Sequence, residues 1–76
     1  MKEILETIIL NMVNNKEAVT ITEEANEKSV TFKVSVAEED FGKVIGKQGR
    51  TAKAIRVVMK SVAGKEHKSV SVDFID

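Results

Sequence analysis

The stretch that decides how this 76-residue sequence is interpreted is Gly42-Lys43-Val44-Ile45-Gly46-Lys47-Gln48-Gly49-Arg50. It differs from a Walker A loop, which needs four residues between its glycines and a Lys followed by Ser or Thr. It also lacks the first Gly-x-Gly of a dinucleotide-binding fingerprint. The pattern is a Gly-x-x-Gly turn between two predicted helices, with cationic side chains on both sides.

Such a turn suits the backbone of a nucleic acid. Glycine has no Cβ atom, so a phosphodiester chain can approach the loop closely. Gly49 precedes a predicted helix whose first N–H groups have no partner within the helix, and this position favours phosphate oxygens. The surrounding cations are Lys43, Lys47, Arg50 and Lys53. The segment therefore predicts a clamp for a nucleic-acid backbone, and the alternative is an ordinary tight turn of a helical hairpin.

Charge is segregated along the chain although its formal sum is zero. Residues 1–42 carry a balance of −5, residues 43–68 a balance of +7, and the last eight residues a balance of −2. A segregated distribution can produce a local positive field around the Gly-x-x-Gly segment. The other explanation of the basic segment is a solvated helix face.

The composition excludes several classes of protein. The chain has no cysteine, which excludes disulfides, a thiolate zinc site and a Cys nucleophile, and suits a cytoplasmic protein. No apolar run approaches the roughly 20 residues of a membrane span, so we expect no membrane insertion. Glu38, Glu39 and Asp40 are expected to stabilise a helix N-terminus, and His67 to lie in an exposed loop without function. We predict a non-enzyme with no cofactor and no metal.

Outward from the loop, hydrophobic periodicity predicts six elements and an α+β fold in a single domain, residues 1–76. The first and third predicted helices are 2–13 and about 50–62, the latter ended by Gly64, and between them a short helix begins after the change of period at Ala37 and is stopped by Gly46. The predicted strands are 18–23, 29–36 and 69–75. The buried stripe of the third helix is predicted to be Ile55, Val58, Met59 and Val62. Because each strand has one apolar face, the order α-β-β-α-α-β predicts a three-stranded sheet with three helices on one face.

The segment Val44-Ile45-Gly46-Lys47-Gln48-Gly49 resembles the signature of the KH domain, and the element order resembles its prokaryotic, type II arrangement. Residues 37–50, 52–56 and 70–72 extend the likeness to the KhpA family of small stand-alone bacterial KH proteins. The resemblance spans essentially the whole chain, and residues 37–50 are its most specific part.

This resemblance implies a bacterial protein that binds single-stranded RNA in the cytoplasm, as an RNA chaperone or post-transcriptional regulator. It implies that residues 46–49 clamp the backbone of about four nucleotides. The bases would then lie in an apolar groove with Ile45 in its floor. The family is also described as self-associating, and as partnering a larger Jag-type KH protein in control of cell elongation and envelope processes.

Two residues predict a protein–protein surface. Val57 lies away from the buried stripe of its helix, next to the small Ala54, so we expect a homodimer contact there. An adaptor that dimerises with a larger KH-containing partner is therefore the alternative to an RNA binder. A small helix-turn-helix DNA-binding protein is disfavoured, because that fold inserts a recognition helix in the major groove and does not need a glycine-rich turn.

Overall fold

In the computed structural model, which describes residues 1–75, three helices cover one face of a three-stranded sheet. The elements are α1 (Lys2–Leu10), β1 (Thr20–Ala25), β2 (Ser29–Ser35), α2 (Glu38–Ile45), α3 (Arg50–Lys65) and β3 (Ser69–Ile75). Short 3₁₀ turns occupy Lys16–Ala18 and Lys47–Gly49. The predicted α+β class and the order α-β-β-α-α-β are confirmed. No helix in residues 1–75 is both long enough and apolar enough to span a membrane.

The sheet has β2 at its centre, antiparallel to β1 and parallel to β3. Phe32 in β2 aligns with Glu23 of β1 on one side and with Val72 of β3 on the other. A parallel pair cannot be joined by a hairpin, so the chain crosses over between β2 and β3 through α2 and α3. The Gly-x-x-Gly loop lies inside this crossover, and both β1 and β3 are edge strands.

The core forms where the apolar face of the sheet meets the helices. Along β2, Val30, Phe32 and Val34 are buried, as the alternating pattern predicts. Leu5 and Ile9 of α1 pack against them as part of the same cluster. The remaining large apolar members of this cluster are Val13, Ile21, Val44, Ile55, Met59 and Val72.

The buried stripe of α3 is rotated from the predicted one. Ile55 and Met59 are buried as expected, but Val58 is 44% exposed and the prediction that it lies in the core was wrong. Ala52 and Ala63 are buried instead, at 2% and 0% exposure. Because their side chains are small, α3 can approach the rest of the core closely along this line. The predicted stripe was based on bulky apolar side chains. It therefore included Val58 and missed the two buried alanines.

Helix α3 also runs past Gly64, which was predicted to end it. The helix ends instead through a Schellman motif, in which the N–H of Lys68 donates to the Ala63 carbonyl at 3.0 Å and the N–H of His67 donates to the Gly64 carbonyl at 3.1 Å. His67 has φ of 59° and takes the left-handed position that glycine usually occupies in this motif. The only histidine is exposed as expected, but it has a structural role.

The connection between α1 and β1 also differs from the prediction. Helix α1 ends at Leu10, three residues early, and β1 covers Thr20–Ala25 rather than residues 18–23. A 3₁₀ turn at Lys16–Ala18 takes up the chain between them. Val13 remains buried outside the helix, so the apolar pattern identified its burial but not its secondary structure.

Asp40 anchors this connection to α2. Its carboxylate is fully buried and accepts hydrogen bonds from the backbone N–H of Asn14 at 3.1 Å and of Asn15 at 2.9 Å. Lys43 Nζ lies 3.4 Å from the same carboxylate. The backbone N–H groups of Asn15 and Asn14 hold the pKa of Asp40 below its ordinary value of 3.8, against the opposing effect of burial. Asp40 therefore joins two segments 25 residues apart, besides its expected place in the first turn of α2.

We predict that Asp40→Asn destabilises the fold at neutral pH and that this loss shrinks in acid. An amide offers one oxygen acceptor, and its NH₂ group faces an N–H donor. Because the pKa of the folded carboxyl is depressed, its contribution is present above the ordinary pKa of 3.8 and is lost as pH falls through the folded pKa. Denaturant unfolding from about pH 7 to about pH 2 measures the difference in the free energy of unfolding between wild type and Asp40→Asn. Glu39→Gln, at the exposed neighbouring residue, is the control. A free-energy difference between wild type and Asp40→Asn that stays constant across this pH range contradicts the prediction.

Candidate nucleic-acid interface

The loop between α2 and α3 is a tight turn that depends on positive backbone angles. Gly46 has φ of 75° and ψ of 177°, Gln48 has φ of 56°, and Gly49 has φ of 74°. The N–H of Gly46 donates to the Gly42 carbonyl at 2.8 Å, and the N–H of Gly49 donates to the Gly46 carbonyl at 3.2 Å. These bonds fix the loop as it leaves α2 and enters α3.

The two loop glycines stand in different surroundings. A Cβ atom on Gly46 would collide with the side chain of Thr51 and would lie 2.9 Å from the Thr51 backbone nitrogen. A Cβ atom on Gly49 would meet nothing within 4 Å. Gly46 therefore permits close packing of the loop against α3, whereas Gly49 keeps an open surface that another backbone can approach.

A groove of about 430 Å³ lies between α3 and the edge strand β3, and its lining residue nearest to the loop in the chain is Lys53, in the first turn of α3. Its helical wall consists of Lys53, Arg56, Val57 and Lys60. These residues share one face of α3, because they follow the spacing of three and four residues. The opposite wall is formed by residues of β3, namely Val70, Ser71, Val72 and Asp73. The groove thus combines valine side chains with cations and a free strand edge.

Arg56 is the most constrained cation of the groove. Its Nε donates a hydrogen bond to the Val72 carbonyl at 3.0 Å, and its guanidinium lies 5.4 Å from the centre of the Phe74 ring. The second distance falls within the range of a cation–π contact. Arg56 was not among the site residues predicted from the sequence, although it shares a helix face with Lys53 and Lys60. The 53-56-60 spacing was the available signal.

The electrostatics of the groove are positive. Three cations and one carboxylate, that of Asp73, line it. Glu23 and Glu24 lie in β1, on the edge of the sheet opposite to β3. The segregation of charge in the sequence therefore becomes a segregation between the two edges of the fold.

The predicted site residues divide into three groups. Lys47, Gln48 and Arg50 are exposed at the loop or at the start of α3, and Lys53 lines the groove. Lys43 is exposed but is held against the Asp40 carboxylate. The half-buried residues are Ile45, Gly46 and Gly49.

Ile45 packs against the core cluster and does not line the groove described above. Val57, predicted as part of a dimer surface with the exposed Ala54, is 59% exposed and forms part of the groove wall. Val57 therefore belongs both to the wall of the groove and to the predicted dimer surface.

Comparison with known proteins agrees with this geometry. The family model described as KhpA/KhpB, KH domain, matches residues 2–74. The chain belongs to this KH-domain family. It is 51% identical to the RNA-binding protein KhpA of Clostridium acetobutylicum, over 99% of this chain and 100% of that protein. The identity is 43% to the Listeria monocytogenes KhpA, over the full length of both chains. It is 40% to the Chlamydia trachomatis KhpA, over all of this chain and 97% of the relative.

No solved structure matches the chain at a significant level. Family membership confirms the resemblance inferred from the Gly-x-x-Gly signature, and the structure agrees with the type II KH arrangement. It also confirms the prediction of a non-enzyme, because KH domains bind nucleic acid without carrying out a reaction.

We predict unequal costs for alanine at the two loop glycines of this KH domain. Gly46→Ala is expected to lower the free energy of unfolding by about 3 kcal/mol, because its backbone angles are nearly specific to glycine and the new methyl group meets Thr51. Gly49→Ala is expected to cost about 1 kcal/mol, from its left-handed backbone alone. Urea denaturation measures both. Gly42→Ala, within α2 and without neighbours at its Cβ position, is the control, and equal losses at 46 and 49 contradict the prediction.

Proposed function

We propose that this KH domain binds single-stranded RNA, with residues 46–49 clamping the sugar–phosphate backbone and the groove between α3 and β3 receiving the bases. The observation that carries the proposal is the open surface at Gly49, directly before the first turn of α3. The relatives named RNA-binding protein KhpA, alike over essentially their whole length, support it.

The start of α3 suits a phosphate. No side chain in the described part of the protein caps this helix, and its N-cap residue is Gly49. The N–H of Arg50 donates to the Lys47 carbonyl, so the N–H groups that follow it in the first turn of this 16-residue helix are the ones offered to an anion, with the positive end of the helix dipole behind them. Lys47 and Arg50, both exposed, add mobile charges on either side.

The groove favours an unpaired strand. A space of about 430 Å³ between a helix and a strand edge can receive individual unpaired bases. The side chains of Val57 and Val70 offer apolar contact to base faces. At the edge of β3, backbone N–H and C=O groups other than the Val72 carbonyl, which Arg56 occupies, offer hydrogen bonds to base edges.

A role as an RNA chaperone or post-transcriptional regulator fits a site of this size. Contacts to the RNA backbone hold the RNA in place but carry no sequence information. A clamp of about four nucleotides therefore tolerates many RNAs. Such a domain acts on RNA by binding it, in the bacterial cytoplasm where transcripts are present. The function is thus binding without chemistry on the RNA.

We predict that the double substitution Lys47→Asp and Gln48→Asp abolishes RNA binding and preserves the fold. Both side chains are exposed, and aspartate tolerates the positive φ of 56° at position 48. Two carboxylates would instead face the phosphate and repel it. Fluorescence anisotropy with a labelled single-stranded RNA measures binding, and circular dichroism measures the fold.

The matched control is Lys65→Glu with Thr22→Glu, which changes the net charge by the same −3 at exposed positions outside the loop and groove. Its affinity should fall far less than that of the loop variant. A folded loop variant that binds RNA as well as wild type would falsify the clamp. An equal loss in both variants would show that net charge, rather than the loop, determines binding.

Self-association is the second candidate function, as a homodimer or with a larger Jag-type KH protein in control of cell elongation and envelope processes. It is supported by exposed valines on α3, where Val57 is 59% and Val58 is 44% exposed beside the small Ala54. A second KH module would raise affinity for RNA through effective concentration, which compensates for a short site. The family model that covers both KhpA and KhpB is consistent with such pairing.

We predict that Val57→Glu shifts the protein toward the monomer. Removing one buried valine costs an interface roughly 1.5–3 kcal/mol, which dissociates a weak dimer. Sedimentation velocity at several concentrations measures the shift. Ile4→Glu is the control, because Ile4 is an apolar residue of α1 with a comparable exposure of 42%. A wild type that is monomeric at high micromolar concentration rules out the dimer. If Ile4→Glu alone dissociates the dimer, the interface lies on α1 and not on α3.

A further inference from the structure

The guanidinium group of Arg56 is held in place, and four of its five N–H donors make no hydrogen bond within the described residues. Nε is bonded to the Val72 carbonyl at 3.0 Å, and the Phe74 ring lies 5.4 Å from the guanidinium carbon. Within residues 1–75 no carboxylate lies within ion-pair distance of Arg56, and its two Nη groups donate no hydrogen bond. The group therefore presents N–H donors in a fixed orientation to the groove that it lines.

The other cations of the groove differ from Arg56 in this respect. Lys53 and Lys60 are exposed, and neither makes a hydrogen bond or ion pair within the described residues. An ammonium group is a mobile point charge, whereas a guanidinium is a planar fork that matches two adjacent acceptors. Arg56 can therefore select between bases, and the lysines can only attract the strand.

We propose that Arg56 reads a guanine at one position of the bound strand, which rests on the RNA-binding function proposed above. Guanine presents O6 and N7 as adjacent acceptors, and a bidentate contact to them is the commonest specific arginine–base contact. Its purine ring also covers more of the apolar wall of Val57 and Val70 than a pyrimidine does. Adenine is disfavoured because it carries the N6 amino donor where guanine has O6, so a donor would face a donor.

The restraints on Arg56 strengthen this selection. A side chain already fixed by a hydrogen bond and a ring contact loses little conformational entropy when a base binds. The bond to the Val72 carbonyl also occupies Nε, so only the Nη edge of the guanidinium faces a ligand. The preference for guanine thus depends on the contact between Arg56 of α3 and Val72 of β3. It concerns one base, whereas the loop holds the RNA backbone.

The test uses fluorescence anisotropy with labelled short oligouridines that carry one central G, A, C or 7-deazaguanine. Wild type should bind the G oligonucleotide about tenfold more tightly than the A oligonucleotide. 7-Deazaguanine lacks the N7 acceptor and should lose most of that advantage. In Arg56→Lys, which keeps the charge without the fork, affinities for the G, A and 7-deazaguanine oligonucleotides should converge.

Lys53→Gln is the matched control in the same groove wall. It should lower affinity for every oligonucleotide and leave the ratio of G to A affinity as in wild type. A wild type that binds all four oligonucleotides equally, prefers C, or ignores the 7-deaza change overturns the assignment of Arg56 while leaving RNA binding intact. A wild type that binds none of them refutes the proposed function itself.

Discussion

The parallel pairing of β2 with β3 is the constraint on which the rest of the structure depends. A chain that leaves β2 at Ser35 must return to the other end of the sheet before it can pair in the same direction. Two helices make this return, and the loop between them is the place where the path reverses. The second helix then lies along the strand that follows it. Loop and groove are therefore neighbours because one crossover produces both.

The crossover is kept in place by contacts at its two ends. At the start of α2, the Asp40 carboxylate binds backbone N–H groups of the connection after α1, which links the crossover to the first third of the chain. At the end of α3, the Schellman motif at His67 turns the chain into β3. Between them, the close approach of Gly46 to Thr51 sets the angle at which α3 leaves the loop. The loop thus has fixed ends and an exposed middle.

Much of this fold could be predicted from the sequence, since β2 alternates apolar and polar residues and Gly46 interrupts an apolar stripe. The Gly-x-x-Gly signature likewise indicated the loop and its cations. Strand order could not be predicted, because periodicity shows which residues face inward but not which strands are neighbours. The groove and the role of Arg56 depend on that order. Burial of Ala52 and Ala63 was also missed, because small side chains give a weak apolar signal although they permit the closest packing.

The zero net charge is compatible with binding a polyanion because the two edges of the sheet are separated. Neighbouring strands lie about 4.8 Å apart, so β1 is roughly 10 Å from β3 across β2. At physiological ionic strength the screening length is about 8 Å, and the carboxylates of β1 therefore act weakly at the groove. Glu24 is further offset by Lys33, 3.7 Å away. An RNA strand in the groove is attracted mainly by the nearby cations, whereas a distant polyanion experiences almost no net attraction. The affinity therefore depends on contacts made at short range.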